Sequence, residues 1–191
     1  ATAGIEIIGH DKYGSFPLKG KFINVRKATP AQIKANEEFI NLKKILGLKQ
    51  GVKYTDVSKL RYGFIIILTD QDGDGSHIKG LLINMLQFYW PELLQIDGFV
   101  QTLSTPLIKI CKKSDKLKKN PETFYILSEY EKWIEKETLQ NNASKWAIPK
   151  YYKGLGTSTD QEAKEIFKNF DDRKITYIWE KYDLEGNELR E

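Results

Sequence analysis

Apolar positions in this chain follow two patterns, short unbroken runs and stripes at helical spacing, and their succession predicts an α/β protein. Phe64-Ile65-Ile66-Ile67-Leu68 is a run without polar alternation, which is how a strand covered on both faces reads. After a loop, Thr69 to Gly75, the residues Ile78, Leu81, Leu82, Met85, Leu86 and Tyr89 recur at i, i+3, i+4, i+7, i+8 and i+11 within Ser76 to Trp90. That stripe predicts an amphipathic helix. Strand, acidic loop and helix make one half of a parallel α/β unit.

The flanks are less regular. Residues 1–28 read as Gly- and Pro-punctuated loops with one short strand, Phe22-Ile23-Asn24-Val25. Thr29, Pro30 and Gln32 supply an N-cap, a proline at the first helical position and a capping box. The helix they open is expected to run to about Leu46 and stop at Gly47. Phe99 to Leu103, Leu107 to Cys111 and Thr123 to Leu127 read as further strands, and Glu129 to Thr138 as a helix. A final helix is expected after Tyr151 to Thr159, with a Thr159/Glu162 capping box and a stripe of Ala163, Ile166, Phe167 and Phe170. Trp90, Trp133, Trp146 and Trp179 are expected in the core or on helix faces. Neither repeats nor low-complexity tracts interrupt this order.

Composition narrows the class. At 191 residues there is room for one domain, or one with an appendage. Hydrophobic residues at 40% exclude wholesale disorder. The single cysteine, Cys111, excludes an internal disulfide framework and a multi-cysteine zinc site, and fits a reducing compartment. No apolar run approaches the roughly 18 residues of a membrane-crossing helix, so no membrane association is expected. Ala1-Thr2-Ala3-Gly4 shows no secretory signal pattern, and without an initiator methionine the chain is expected to be a piece of something longer. Thirty basic and 26 acidic residues give +4, too little to point to a polyanion without knowing where the charges sit.

They sit most tellingly in Asp70-Gln71-Asp72-Gly73-Asp74-Gly75. Ligands of open α/β sheets collect at the carboxyl ends of strands. Alternate residues of an extended segment share a side, so Asp70, Asp72 and Asp74 are expected to converge. Like charges that close repel unless a cation lies among them. Oxygen donors without His or Cys favour Mg²⁺ or Ca²⁺ over zinc. An EF-hand is excluded, because its twelfth position is Leu81 rather than Glu and a strand precedes the loop. An aspartyl phosphotransferase wants Thr or Val where Asp74 stands. A Mg²⁺ site for phosphodiester chemistry and a solvated acidic loop remain.

Three blocks carry a family resemblance. Leu60-Arg61-Tyr62-Gly63, the apolar strand and Thr69 to Asn84 resemble the toprim region of eukaryotic-type DNA topoisomerase II, cellular or from large DNA viruses. Gly9 to Gly14 with Phe16-Pro17-Leu18-Lys19-Gly20-Lys21, and Tyr151-Tyr152-Lys153-Gly154-Leu155-Gly156-Thr157-Ser158, match further family segments in the same order. The resemblance implies a toprim, Rossmann-like α/β fold with a central parallel sheet and a C-terminal α+β extension. Residues 1–110 would be the core, its first strand truncated, and 111–191 the extension toward a winged-helix domain. It implies that Asp70 and Asp72 hold Mg²⁺, with Asp74 more peripheral. Lys21 and Asn24 fall where the family contacts the DNA backbone. Lys19 stands where the family usually has Arg, a swap that keeps charge but loses bidentate phosphate binding.

The implied parent cleaves both strands of a duplex with an active-site tyrosine, passes another duplex through and reseals, driven by ATP bound outside this segment. Its partners are double-stranded DNA, the winged-helix and ATPase domains, and a second copy in a homodimer. Its place is intracellular: the nucleus if cellular, host cytoplasm or nucleus if viral. The family's Glu-Gly-Asp-Ser motif is absent and none of the ten tyrosines fits the nucleophile, Arg61-Tyr62 lying at the pre-strand position. The isolated chain is therefore expected not to cleave DNA. The alternative is a non-catalytic divalent-ion or DNA-binding module of the same shape.

Other residues keep two readings. Lys153, with Gly154, Gly156 and Thr157 before a helix start, is a candidate phosphate contact or part of an ordinary capped helix. It is no P-loop, since the Gly-Lys-Ser/Thr ending is missing. His77 either faces substrate or caps and packs the helix. His10, Lys12, Lys19 and Lys21 either follow a DNA backbone or form a solvated face, whereas Lys112, Lys113, Lys116, Lys118 and Lys119 read as a solvated face.

Overall fold

The capping box written in the sequence forms as expected. Thr29 Oγ1 accepts from the Gln32 N–H at 3.3 Å, and Gln32 Oε1 accepts from the Thr29 N–H at 2.8 Å. This computed structural model describes residues 8–9, 11–115, 117, 120–152, 167 and 170–180. The expected final helix of Thr159 and Glu162, with Ala163 and Ile166, lies outside them, as do His10, Lys116, Lys118, Lys119 and Lys153.

In chain order the elements are α1 (Pro30–Ala35), α2 (Glu37–Leu46), β1 (Ile65–Ile67), α3 (Gly73–Tyr89), α4 (Pro91–Leu94) and β2 (Val100–Leu103). Then come β3 (Ile108–Ile110), β4 (Glu122–Phe124), α5 (Leu127–Leu139), β5 (Lys150–Tyr151) and β6 (Lys174–Thr176). The described residues group into two compact units. One draws on Ser15–Leu68, Ser76–Leu103 and Lys174–Glu191, the other on Ala1–Gly14, Thr69–Gly75 and Ser104–Arg173.

In the first unit, β1 pairs in parallel with β2, Ile66 opposite Gln101, and β2 pairs antiparallel with β6, Thr102 opposite Ile175. The chain between the parallel strands crosses over through α3 and α4, as parallel pairing requires. A core of Phe39, Leu46, Leu82, Met85, Leu86, Trp90, Leu93 and Phe99 fills the unit. Trp90 is wholly buried, and its Nε1 donates to the Lys49 carbonyl at 2.9 Å, which satisfies the indole's one polar atom.

Three expectations change here. The single helix to Leu46 is two helices, broken at Asn36 (φ −78°, ψ 107°). Its N–H donates to the Ile33 carbonyl and its Oδ1 accepts from the Phe39 N–H at 2.8 Å, so one short amide ends α1 and starts α2. Phe22 to Val25 is not a strand. The Asn24 carbonyl accepts from the N–H groups of Lys27 and Ala28 at 3.1 and 3.0 Å, and the resulting turn buries Phe22 and Val25. The strand buried along its whole length is β2, not the apolar run, whose Ile65 and Ile66 are only half-buried. Two of the polar groups buried on β2 are paired: Thr102 Oγ1 donates to the Ile67 carbonyl at 2.9 Å and Gln101 Nε2 to the Gly98 carbonyl at 2.7 Å.

The second unit is built on an antiparallel sheet in the order β4-β3-β5. Its core is Ile108, Ile110, Phe124 and Trp146, with Tyr130 and Trp133 packed against it. Trp133 and Trp146 meet edge-to-face at 4.8 Å, and Trp146 Nε1 donates to Glu137 Oε2 at 2.7 Å. The expected strand over Thr123 to Leu127 is shorter and earlier, and α5 takes up Leu127. Trp179 is 38% exposed and lies outside any helix, so it is neither the core nor the helix-face residue expected of the tryptophans.

Candidate functional site

The acidic loop is shaped by the start of α3. That helix begins at Gly73, three residues before the expected Ser76, because Asp72 caps it: Asp72 Oδ1 accepts from the Gly75 N–H at 2.8 Å. This is an N-cap bond to the third helical residue. The extended alternation expected of Asp70, Asp72 and Asp74 therefore ends at Asp72, and Asp74 lies in the first helical turn, where successive side chains rotate by about 100°. Among the described residues, no group of three or more His, Cys, Asp and Glu side chains could hold one metal ion.

Gly75 explains how the turn is so tight. A Cβ placed on it would lie 2.0 Å from the Asp70 carbonyl oxygen and 3.1 Å from Thr69 Oγ1. Only glycine leaves room for that approach. Gln71 Nε2 donates to Thr105 Oγ1 at 3.1 Å, tying the loop to the chain beyond β2. Thr69 Oγ1 is buried and has no hydrogen-bond partner among the described residues. Asp70, Asp72 and Asp74 are all exposed. Asp72 spends one oxygen on the cap, and the other remains for a ligand.

This donor set fits Mg²⁺. The ion keeps several waters and takes one or two protein carboxylates, completing its shell with phosphate oxygens, so a three-carboxylate cage is not required.

The basic candidates lie on a separate segment. Lys19 and Lys21 are exposed, and Lys19 is fixed through its backbone, whose N–H donates to Glu38 Oε1 at 2.7 Å. Asn24 is half-buried, and its Oδ1 accepts from the Arg26 N–H at 3.1 Å. Arg26, which sequence reasoning missed, anchors this turn. Its Nε donates to Asn84 Oδ1 at 2.8 Å, its terminal nitrogen binds Gln87 Oε1, and its guanidinium lies 5.5 Å from the Phe88 ring centre. An arginine following Asn24-Val25, with Asn84 and Gln87 on one face of a predicted helix, was the only signal available. Lys112 lies over the Trp146 ring at 5.4 Å, which makes the lysine-rich loop more than a solvated face at that residue. The Arg61 backbone N–H donates to the Leu46 carbonyl at 3.1 Å, beside Gly47 in left-handed backbone at φ +79°.

A family model described as the Toprim domain matches residues 2–105, and one described as the C-terminal associated domain of TOPRIM matches 103–189. The chain is 52% identical to DNA topoisomerase 2 of Arabidopsis thaliana over 180 residues, 94% of this chain and 12% of that protein. Against DNA topoisomerase 2 of Acanthamoeba polyphaga mimivirus it is 48% identical, covering 94% of this chain and 14% of that one. Its fold is similar to the crystal structure of the Plasmodium falciparum topoisomerase II DNA-binding, cleavage and re-ligation domain. There the TM-score is 0.83 at 47% identity, over 94% of this chain and 23% of the other. The chain thus spans a small part of each relative.

Proposed function

The chain belongs to the Toprim family, and from that premise we propose that it is the Mg²⁺-binding toprim part of an ATP-dependent type II DNA topoisomerase, the part that serves the making and resealing of a transient double-strand break. The fold is α/β, as the resemblance implied. Residues 1–110 serve as core and 111–191 as extension toward the remaining domains; the two family matches meet a few residues earlier, at 103–105. The parent acts on double-stranded DNA as a homodimer inside the cell, in the nucleus or, for a virus, in the host cell. ATP is bound elsewhere in it.

The observation that carries the proposal is the loop itself. Asp70 and Asp72 are exposed on a backbone locked by Gly75, at the opening of α3. When bound, Mg²⁺ supplies positive charge to the oxygens of the phosphodiester being broken and re-formed. The chain's own part is to present the two carboxylates from a loop whose backbone is constrained. Asp72 is restrained by its cap bond, and the loop backbone by Gly75 and by the Gln71–Thr105 bond. Lys21, Lys19, Asn24 and Lys153 then contact the DNA backbone, with Asp74 peripheral to the ion.

The test is made in the full-length enzyme. Asp70→Ala and Asp72→Ala each abolish Mg²⁺-dependent DNA cleavage. Near-normal cleavage by both variants would sink the metal assignment.

A further inference from the structure

Three buried side-chain atoms lack a hydrogen-bond partner among the described residues: Thr69 Oγ1, Gln101 Oε1 and Arg173 Nη1. Two of them belong to larger polar groups that are otherwise engaged. Gln101 donates through Nε2 to the Gly98 carbonyl at 2.7 Å, and the Arg173 guanidinium lies 5.7 Å from the Tyr125 ring centre. Thr69 has nothing else to offer, because one hydroxyl is its whole polar complement. A buried polar group without a partner costs free energy, and valine at the same position would remove that cost. Valine has the same branched shape, and it would only prolong the apolar run Phe64 to Leu68 in backbone that suits β-branched residues. Strand and packing thus account for the branch of Thr69 and not for its oxygen.

The place of that oxygen points to its use. It lies 3.1 Å from where a Cβ on Gly75 would stand, and that same point is 2.0 Å from the Asp70 carbonyl oxygen. The hydroxyl therefore sits where the two ends of the acidic loop meet, the loop that presents Asp70 and Asp72. We propose that Thr69 is a positioning residue for the divalent ion of this loop, its hydroxyl finding in the ion's bound waters the partner that the protein does not provide. This rests on the reading of the loop as a Mg²⁺ site. Mg²⁺ keeps several of its waters when bound to protein, and a water donates hydrogen bonds that a threonine oxygen accepts. What the unpaired hydroxyl costs the fold is recovered on binding, so it adds to affinity for the ion.

Valine separates the hydroxyl from the shape. In the full-length enzyme, without nucleotide or DNA, Thr69→Val melts in EDTA at or above the wild-type temperature. Added Mg²⁺ then raises its melting temperature by less than it raises that of wild type. Half-maximal DNA cleavage needs about tenfold more Mg²⁺, while cleavage at saturating Mg²⁺ is unchanged. Thr69→Ser and Thr69→Ala differ by the hydroxyl alone and give the same comparison should the valine variant fold poorly; serine needs less Mg²⁺ than alanine. An unchanged Mg²⁺ requirement in Thr69→Val overturns the proposal, whatever the melting temperature in EDTA, and so does a serine variant no better than alanine. Asp70→Ala is measured beside them. If it loses cleavage while Thr69→Val needs no extra Mg²⁺, the role of Thr69 falls alone. If Asp70→Ala also keeps the wild-type Mg²⁺ dependence, the metal reading falls with it.

Discussion

The Asp70 carbonyl oxygen occupies the space that a side chain at residue 75 would need: a Cβ on Gly75 would stand 2.0 Å from it. The partner is backbone, which cannot swing aside as a flexible side chain could. Gly75→Ala therefore opens the loop or displaces the start of α3, at a cost of about 1–3 kcal/mol by the usual scale of overpacking. In the full-length enzyme it loses Mg²⁺-dependent cleavage with DNA affinity retained. Cleavage titrated against Mg²⁺ checks this, and wild-type behaviour would show that the loop tolerates widening.

Asp72 has two duties that substitution can separate. Asp72→Asn keeps an oxygen for the Gly75 N–H and loses the charge, so it retains stability while abolishing metal-dependent cleavage. Asp72→Ala loses both and costs about 1 kcal/mol more. Thermal unfolding of the two variants, side by side, decides whether the cap bond matters to the fold.

Arg26 binds Asn84 and Gln87 and covers Phe88. Because it is exposed, its removal is mild for stability, about 1 kcal/mol or less. The larger consequence of Arg26→Ala is a loosened turn at Asn24 and weaker DNA binding, several-fold by the same scale. Arg26→Lys restores charge but not the forked bonds, so it rescues little. Full rescue by Lys would mean that charge alone counts.

Burial pushes the Tyr130 phenol above its ordinary value of 10.0, and Tyr151 beside it pushes the same way. The neutral form is the one favoured in the fold. Its contribution is complete below pH about 10 and is lost as pH rises through the raised value. Wild type is thus expected to lose stability on the alkaline side more steeply than Tyr130→Phe. Melting temperatures across that range test this, and parallel curves would contradict it.

How legible all this was depended on whether a local signal had a competitor. The α3 stripe and the Thr29/Gln32 box had none, and both stand in the fold. Phe22-Ile23-Asn24-Val25 looks like a strand by composition, yet Asn24 offers the backbone a turn, and burial of Phe22 and Val25 makes that turn the better solution. β6 follows Arg173 and carries an exposed Ile175 at its centre, with no periodicity to betray it. It exists because β2 presents an edge. At the site, the carboxylates were plain in the sequence, but their arrangement was not. Glycine-rich spelling hid a helix start that depends on one side-chain bond from Asp72, and the anchoring of Arg26 depends on a helix some sixty residues away.

Asn36 has a further consequence for how this segment can vary. The same residue closes α1 and opens α2, so the junction contains no slack. One inserted residue would turn the following helix by about 100° about its axis and carry Phe39 and Leu46 off the core. The segment from 29 to 46 should accept many exchanges of side chain and no change of length.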